Sequence, residues 1–146
     1  MANTYSQLLI QFVFAVKYRE GLLAKEIRPQ VFGVIGNLIN QNECKTIIVN
    51  GVEDHVHCLV GMKPKISCSE LMKNVKALSS KHINDHGLTK HRFEWQIGFG
   101  VFSYSTSSLD NVYKYIANQE EHHRKVKFKE EYLGLLKEFQ IDYDEN

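Results

Sequence analysis

No stretch of this sequence approaches the ~20 consecutive apolar residues that a membrane-spanning helix requires. The apolar segment LLIQFVFAV at residues 8–16 is too short and contains Gln11. The N-terminus also lacks the basic region and cleavage site of a secretory signal. We therefore expect a protein that is neither embedded in a membrane nor secreted.

Cysteine is scarce. The three cysteines, Cys44, Cys58 and Cys68, cannot all pair, and they show no CxxC spacing. This pattern argues against a disulfide framework. It is typical of reduced, partly buried thiols, so a cytoplasmic location is expected.

A strong net charge is also missing, since the chain carries only +1. That value alone argues against a nucleic-acid partner, but the charge is unevenly distributed. Residues 130–146 contain six acidic residues and one lysine, which leaves +6 on the rest of the chain. A basic body with an acidic tail is compatible with a partner that carries phosphates. The predicted strands carry no convergent set of Asp and Glu, which argues against a nuclease that uses two carboxylate-bound metal ions.

The apolar residues that are present predict one domain over residues 1–146. Apolar and β-branched runs predict strands at 5–17, 45–53, 55–61 and 93–105. Helical spacing predicts helices at 27–42, 68–84 and from Ser108 or Asp110 to about 124, with a short amphipathic helix at 130–139. The order is β-α-β-β-α-β followed by helices, which indicates an α+β fold of the ferredoxin-like, split βαβ type.

Apolar faces are predicted for two of these elements. Ser67 and Glu70 form a capping-box signal for the 68–84 helix. The inward residues of this helix are predicted to be Leu71, Met72, Val75 and Leu78. The 93–105 strand is predicted to place on one face Phe93, Trp95, Ile97, Phe99 and Val101.

The segment VEDHVHCLV, residues 52–60, places two histidines inside an apolar run. On a strand His55 and His57 share one face, about 6–7 Å apart, where two imidazoles can bind one metal ion. A pair of histidines on a solvated face is the common alternative. In the predicted fold the opposite face meets the two helices, so the histidines lie on the free face, where an added helix could cover them. The residues of the opposite face are Val56, Cys58 and Val60.

The predicted helix after Asp110 supplies a second set of polar side chains. Tyr115 and Gln119 are four residues apart and therefore share a helix face, whereas Tyr113 lies on a different side. An exposed tyrosine is common on such a helix. The pair indicates a functional site only because the chain also carries two histidines on a free sheet face.

Together these segments resemble the single-tyrosine HUH transposases of bacterial insertion sequences, which include the REP-associated tyrosine transposases. The resemblance covers nearly the whole chain. It rests on FVFAVKYR at 12–19, NGVEDHVHCLV at 50–60, WQIGFGVFS at 95–103 and YIANQEEHH at 115–123. The chain departs from the family pattern at Gln11, where relatives often carry a histidine, and no role is assigned to that position.

The resemblance implies a transposase that cuts and rejoins single-stranded DNA through a covalent 5′-phosphotyrosine, with a divalent metal ion, Mg²⁺ or Mn²⁺, as its cofactor. It implies Tyr115 as the catalytic nucleophile, and it implies as metal ligands His55, His57 and Gln119. It further implies a homodimer in which the tyrosine helix of one subunit completes the histidine site of the other. Residues 1–109 would form the sheet with its helices and residues 110–146 the tyrosine helix and tail. The DNA partner would be a hairpin at the end of an insertion sequence.

The remaining polar residues receive weaker interpretations. Asp54 is interpreted as a turn residue that points away from the histidines. The general base is left open among the metal, Lys114 and the substrate itself. The lysines of the 68–84 helix are interpreted first as a solvated face, with phosphate contacts as the alternative. The basic end of the tyrosine helix is interpreted as a phosphate contact rather than as a set of metal ligands. The residues concerned are Lys73, Lys76, Lys81, His122, His123 and Arg124.

A rival prediction is an RNA-recognition module, because IGFGVFSY at 97–104 resembles the RNP1 stretch of such modules and the order of elements is the same. RNP1 begins with Lys or Arg and lies on the third strand, whereas this stretch begins with Ile97 and falls on the fourth. The RNA module would also leave the histidine pair and Gln119 unexplained. A domain that only dimerises, with incidental histidines, is the third alternative.

Overall fold

In the computed structural model, which describes residues 4–143, the chain alternates strands and helices before ending in three helices. The elements are β1 (Leu9–Ala15), α1 (Arg28–Gln41), β2 (Lys45–Gly51), β3 (His55–Gly61), α2 (Cys68–Asp85), β4 (Gly100–Tyr104), α3 (Leu109–Ala117), α4 (Gln119–His122) and α5 (Phe128–Glu138). Within residues 4–143 the strands form one antiparallel sheet of four in the order β2-β3-β1-β4. The predicted α+β class and the predicted order of elements are confirmed. In the part of the chain that the structure describes, no helix has the length and apolar character needed to cross a membrane.

One face of the sheet packs against α1 and α2 and forms the main apolar core. Phe12 and Phe14 of β1 lie beside Val56, Cys58 and Val60 of β3, and all five are buried. The helices contribute Val31, Ile35, Leu71, Met72 and Val75. Each such side chain stabilises the fold by about 1.5–3 kcal/mol through removal of apolar area from water. The predicted helix-facing side of β3 is therefore found as expected.

The beginning of α2 follows the predicted capping signal. The Ser67 hydroxyl accepts a hydrogen bond from the Glu70 backbone N–H at 3.0 Å, which satisfies one of the free donors of the first turn. The inward face is correct for Leu71, Met72 and Val75 but wrong for Leu78, which is exposed. Ser79 and Ile83 are buried further along the helix.

The predicted strand at 93–105 is wrong over its first half. Phe93 and Trp95 are buried, but Ile97 is 94% exposed and the strand begins only at Gly100. Gly98 has a φ of +88°, a conformation that L side chains rarely adopt, so the alternating pattern stops there. The Lys76 ammonium holds this bend by donating to the carbonyls of Gln96 and Gly98 at 2.7 and 2.8 Å. The predicted 5–17 strand is likewise shorter, at Leu9–Ala15.

The helix predicted to run to about 124 is interrupted. α3 ends at Ala117, and α4 begins at Gln119 after Asn118, which lies between them with φ −97° and ψ +21°. The Asn50 side chain of β2 donates to the carbonyls of Ile116 and Ala117 and so satisfies the end of α3. The interruption lets the chain after Gln119 turn back over the sheet.

Candidate metal and nucleophile site

The second face of the sheet is covered by the three C-terminal helices. α3 packs on Leu9 and Leu59 through Val112 and Ile116. α5 packs on Val13 and Phe102 through Leu135 and Leu136. A Cβ at Gly100 would lie 2.7 Å from the Tyr132 ring, so the absence of a side chain there permits the close approach of α5. On this face of the described sheet the aromatic rings of Phe102 and Tyr104 pack against Phe139, whereas the RNA-recognition alternative would require sheet aromatics free to stack bases.

Beneath these helices His55 and His57 share one face of β3, with ring centroids 5.2 Å apart. Both side chains are fully buried. The common face agrees with the alternation of a strand. The free face expected from the order of elements is thus covered, and the two imidazoles face the C-terminal helices rather than solvent.

Each imidazole is oriented by a side chain to which sequence reasoning gave no such role. Asp54 does not point away, because its Oδ1 accepts from His55 Nδ1 at 2.7 Å. Gln11 Oε1 accepts from His57 Nδ1 at 2.7 Å, and Gln11 Nε2 donates to the Tyr104 hydroxyl at 2.7 Å. The carboxylate of Asp54 can only accept, so His55 Nδ1 carries a proton. With the amide of Gln11 in this orientation His57 Nδ1 carries one too, and in that tautomer both Nε2 atoms present lone pairs to the site.

The Glu131 carboxylate of α5 lies at the point where these nitrogens converge. Its Oε1 is 3.2 Å from His55 Nε2, 3.1 Å from His57 Nε2 and 3.0 Å from His123 Nε2. We call these four residues, His55, His57, His123 and Glu131, the His–Glu cluster. Their ligand atoms all lie within 4.8 Å of one another.

The other carboxylate oxygen of Glu131 binds the tyrosine helix. Oε2 accepts from the Tyr115 hydroxyl in a short hydrogen bond and from Gln119 Nε2 at 3.1 Å. The Tyr115 ring lies 5.8 Å from the His57 ring, centroid to centroid. Despite the interruption at Asn118, the structure brings together the tyrosine, the glutamine and both histidines. Tyr113 is exposed.

Glu131 was missed because it was counted with an acidic tail. A sequence signal for it exists, since Glu131 stands on the apolar face of α5 with Phe128, Tyr132 and Leu135, at helical spacing. A charged residue in an apolar stripe is rarely buried without a partner. Glu131 is indeed buried, unlike its neighbour Glu130.

His123 is a further correction. It was expected at a basic helix end, facing phosphate, yet its side chain is 8% exposed and turns towards Glu131. His122 is half-buried, with Nε2 3.3 Å from Glu131 Oε2. Phe128 stacks on the His55 ring at 4.2 Å and closes this end of the site.

The electrostatics of the site hold Tyr115 protonated. Burial raises the pKa of Tyr115, and the hydrogen bond to the Glu131 carboxylate raises it further. Burial alone would raise the pKa of Glu131, but the surrounding imidazoles of His123, His55 and His57 outweigh burial and hold that pKa well below its usual range. Burial lowers the pKa of His57. Burial also acts to lower the pKa of His55, but Asp54 and Glu131 outweigh it and the pKa is raised. Activation of the phenol therefore needs additional positive charge in the site.

Buried atoms without a partner show that the site fits a metal ion. Three such side-chain atoms occur within the described chain: His55 Nε2, Gln119 Oε1 and His122 Nε2. Imidazole nitrogens and amide oxygens are the kinds of atom that bind divalent cations. An ion would satisfy the first two, whereas leaving a buried polar atom without a partner costs roughly 1–3 kcal/mol. The donor set of the His–Glu cluster and Gln119 is thus suited to a divalent metal.

The residues expected to contact phosphate lie in two places. Lys73, Lys76 and Lys81 line an open cleft between α2 and the 92–98 segment, on the apolar-core side of the sheet. The Lys76 ammonium is occupied by two backbone carbonyls, and burial lowers its pKa. Lys81 pairs with Asp85, and Arg124 pairs with Glu121. Lys73 is exposed.

A smaller cleft reaches the His–Glu cluster at His123. It lies between the turn at Asp54 and the beginning of α5, and its walls include His123 and Phe128. Its cationic residues are Arg19, Lys127 and Lys129. Arg19 and its neighbour Tyr18 both have positive φ values, 53° and 60°, which are uncommon for residues other than glycine. Sequence reasoning assigned no role to this set.

The chain is similar in sequence to known transposases. A sequence profile of the family described as "Transposase IS200 like" matches residues 4–119. The ISDra2 transposase TnpA of Deinococcus radiodurans is 22% identical over 120 residues, which cover 79% of this chain and 86% of that protein.

Two solved structures share the fold. A crystal structure of a candidate transposase from Deinococcus radiodurans R1 superposes with a TM-score of 0.65 at 22% identity, covering 82% of this chain and 95% of that one. The structure of a REP-associated tyrosine transposase bound to a REP hairpin superposes with a TM-score of 0.62 at 15% identity, covering 86% of this chain and 74% of that one.

Proposed function

This chain belongs to the IS200-like transposase family, and on that premise we propose that it cleaves and rejoins single-stranded DNA at the ends of an insertion sequence. The observation that carries the proposal is the convergence of Tyr115, Gln119, His55 and His57 on one buried point, although they come from α3, α4 and β3. A hydroxyl nucleophile next to a cation site is the arrangement that phosphodiester transfer needs. We further propose that the whole chain acts as one domain, residues 1–109 forming the scaffold and residues 110–146 bearing the nucleophile.

The chemistry assigns separate roles to these residues. His55, His57 and Gln119 would hold a divalent ion, Mn²⁺ or Mg²⁺, which supplies Lewis-acid polarisation of the scissile phosphate when bound. The Tyr115 oxygen attacks phosphorus, the phenolic proton leaves to a base, and the bond to the 3′ oxygen breaks as that oxygen takes up a proton. The product is a 5′-phosphotyrosine and a free 3′-hydroxyl. A 3′-hydroxyl can reverse the step, so rejoining needs no ATP.

DNA must reach a site whose ligands are buried. We propose that the strand enters through the cleft between Asp54 and the beginning of α5, because Arg19, Lys127 and Lys129 place positive charge at its mouth. His122 is the last residue of α4, and Arg124 follows in the segment between α4 and α5. Lys73, Lys76 and Lys81 would contact the backbone of a more distant part of the DNA, for which a hairpin is the expected form.

The first experiment mixes the protein with a library of single-stranded DNA and Mn²⁺ and looks for a covalent adduct. Tyr115→Phe should eliminate the adduct, because it removes one oxygen and leaves the ring in place. Tyr113→Phe and Tyr104→Phe are matched controls that should both still form it. Peptide sequencing locates the attachment, and DNA bound to any residue other than Tyr115 would overturn the mechanism.

We also propose a homodimer that shares its active sites. In the structure of the single chain, Tyr115 contacts the cluster of its own chain; exchange of the segment after β4 between two copies would place the same contacts between subunits. The edge strands of the described sheet, β2 and β4, offer surfaces for association.

Mixing two inactive variants tests this sharing. A His57→Ala chain retains its tyrosine, and a Tyr115→Phe chain retains its histidines. If sites are shared, the mixed dimer contains one complete site and forms adduct. If each chain uses its own tyrosine, no mixture is active, and a monomer with full activity across micromolar dilution would exclude the dimer altogether.

A further inference from the structure

We propose that Glu131 of α5 is itself a ligand of the metal ion, so that the site consists of imidazoles from β3, the Gln119 amide and a carboxylate from the C-terminal helix. This inference rests on the proposed function, since it concerns the same cation. It adds a charged ligand that lies 12 residues beyond Gln119 and outside the segments that define the family resemblance.

Two imidazole nitrogens converge on one carboxylate oxygen without a full set of hydrogen bonds. His57 Nε2 lies within hydrogen-bond distance of Glu131 Oε1, at 3.1 Å. His55 Nε2 lies 3.2 Å from the same oxygen but has no hydrogen-bond partner among the described residues. When Nδ1 of each histidine donates to Asp54 or Gln11, both Nε2 atoms carry lone pairs and face the carboxylate as acceptors. A divalent ion bound to both nitrogens and to Oε1 removes this repulsion between acceptors.

The distances between the ligand atoms also agree with a metal site that includes Glu131. Bonds of about 2.0–2.2 Å from a divalent ion to nitrogen or oxygen place neighbouring ligand atoms roughly 3 Å apart. Oε1 of Glu131 is 3.0–3.2 Å from the three imidazole nitrogens of the cluster. Glu131 therefore stands at the distance of a neighbouring ligand. His123 Nε2 lies at a similar distance from Oε1 and is the fourth member of the cluster.

The packing of α5 holds the Glu131 side chain in the site. Leu135 and Leu136 of α5 are buried against Val13 and Phe102, and Phe128 stacks on His55. This packing fixes the helix and delivers the carboxylate into an interior where an uncompensated charge is costly. Oε2 at the same time accepts from Tyr115 and Gln119 Nε2. One carboxylate thus connects the cation to the nucleophile and sets the position of the tyrosine hydroxyl.

A competing role makes the opposite prediction. The Glu131 carboxylate could instead occupy the place of the scissile phosphate, with α5 acting as a plug that DNA displaces. A plug competes with DNA, so its removal accelerates adduct formation and leaves metal affinity unchanged. A ligand contributes to metal affinity in the absence of DNA.

The test measures Mn²⁺ binding to the full-length protein by calorimetry without DNA. Glu131→Gln keeps the size of the side chain and removes its charge; Glu130→Gln, at the neighbouring exposed position, is the matched control. We expect Glu131→Gln to weaken Mn²⁺ binding by about 10-fold or more. Loss of a group that only orients a metal ligand already weakens metal binding by about 10- to 100-fold. Glu130→Gln should bind as the wild type does, and His57→Ala should lose binding.

Each outcome separates the inference from the proposed function. Unchanged affinity in Glu131→Gln overturns the inference, and a faster adduct in the same variant identifies the plug. Wild-type protein that shows no His57-dependent Mn²⁺ binding overturns the metal-dependent function as well. If Glu131→Gln does not fold, Glu131→Cys gives a second readout, because a thiolate ligand should shift the preference from Mn²⁺ towards Cd²⁺. An unchanged ratio of the two affinities would also overturn the inference.

Discussion

The two faces of strand β3 are equally buried but built on different principles. Val56, Cys58 and Val60 lie in an apolar core under α1 and α2. His55 and His57 alternate with them and lie under α3, α4 and α5 among a carboxylate, an amide and a phenol. Every one of these five side chains of β3 is fully shielded from water. Burial alone therefore does not distinguish core from site.

The difference lies in how each face is stabilised. The apolar face gains free energy in proportion to the area it removes from water, and no atom there needs a specific partner. The polar face is stable only if its donors and acceptors are matched. Its unmatched atoms among the described residues are His55 Nε2, Gln119 Oε1 and His122 Nε2, and the first two lie where a divalent ion would fit. The following predictions test this contrast.

The largest loss of stability should come from the apolar face. Phe12→Ala removes a fully buried ring and leaves a cavity between the sheet and its two helices. We expect a loss of about 3–5 kcal/mol in the free energy of unfolding, measured with urea. Mn²⁺ affinity of the folded protein should not change. A loss below about 1 kcal/mol would show that this face is not the main core.

His57→Ala should have the opposite effect to Phe12→Ala: a smaller loss of stability and a complete loss of metal binding. The order of elements predicted that the histidines lie on the free face of the sheet, but both are buried. Removal leaves Gln11 Oε1 without its partner, so we expect a stability loss of about 1–3 kcal/mol. The variant should remain folded by circular dichroism, with metal binding and adduct formation abolished. His55→Ala should behave in the same way, and gross unfolding of either variant would indicate a structural role.

Gln11→Leu tests the orientation of the imidazole. The substitution keeps the volume but removes the acceptor that fixes His57 Nδ1–H. We expect a loss of about 10- to 100-fold in Mn²⁺ affinity, as for other groups that orient a ligand. Tyr113→Phe is the control, since it removes a hydroxyl from an exposed side chain. Equal affinity in Gln11→Leu and wild type would show that His57 needs no orienting partner.

Ile97→Ser should have the smallest effect. The alternating pattern places Ile97 on a buried face with Trp95, yet the side chain is almost fully exposed. Its replacement should change the free energy of unfolding by less than about 0.5 kcal/mol. A loss above about 1 kcal/mol in the free energy of unfolding lies outside the range of an exposed position. Such a loss would support the continuous strand that the alternating pattern predicts.

Sequence reasoning succeeded where the signal is local and periodic. The strands, the two helices of the apolar face and the shared face of His55 and His57 follow from spacing, because side chains alternate on a strand. It failed at Ile97 and at Asn118. At both places the chain departs from regular φ and ψ and is held by a distant side chain, Lys76 or Asn50.

The candidate site divides in the same way. The histidine pair and the Tyr115–Gln119 spacing are visible in the sequence, and so is the family they suggest. Glu131 was counted as part of an acidic tail, although its place in an apolar stripe was a usable signal. Gln11 and Asp54 carried no signal, since an amide in a strand and an aspartate in a turn are ordinary residues.

By itself, the sequence determined the order of elements, the two faces of β3 and the family, because each depends on residues close together along the chain. Only the tertiary structure decided what meets the histidines. Gln11 is 46 residues from His57, and Glu131 is 74 residues from it. The first contact exists because β1 pairs with β3, and the second because α5 packs its leucines on Val13 and Phe102. No local propensity encodes the distance between two side chains that only the tertiary structure brings together.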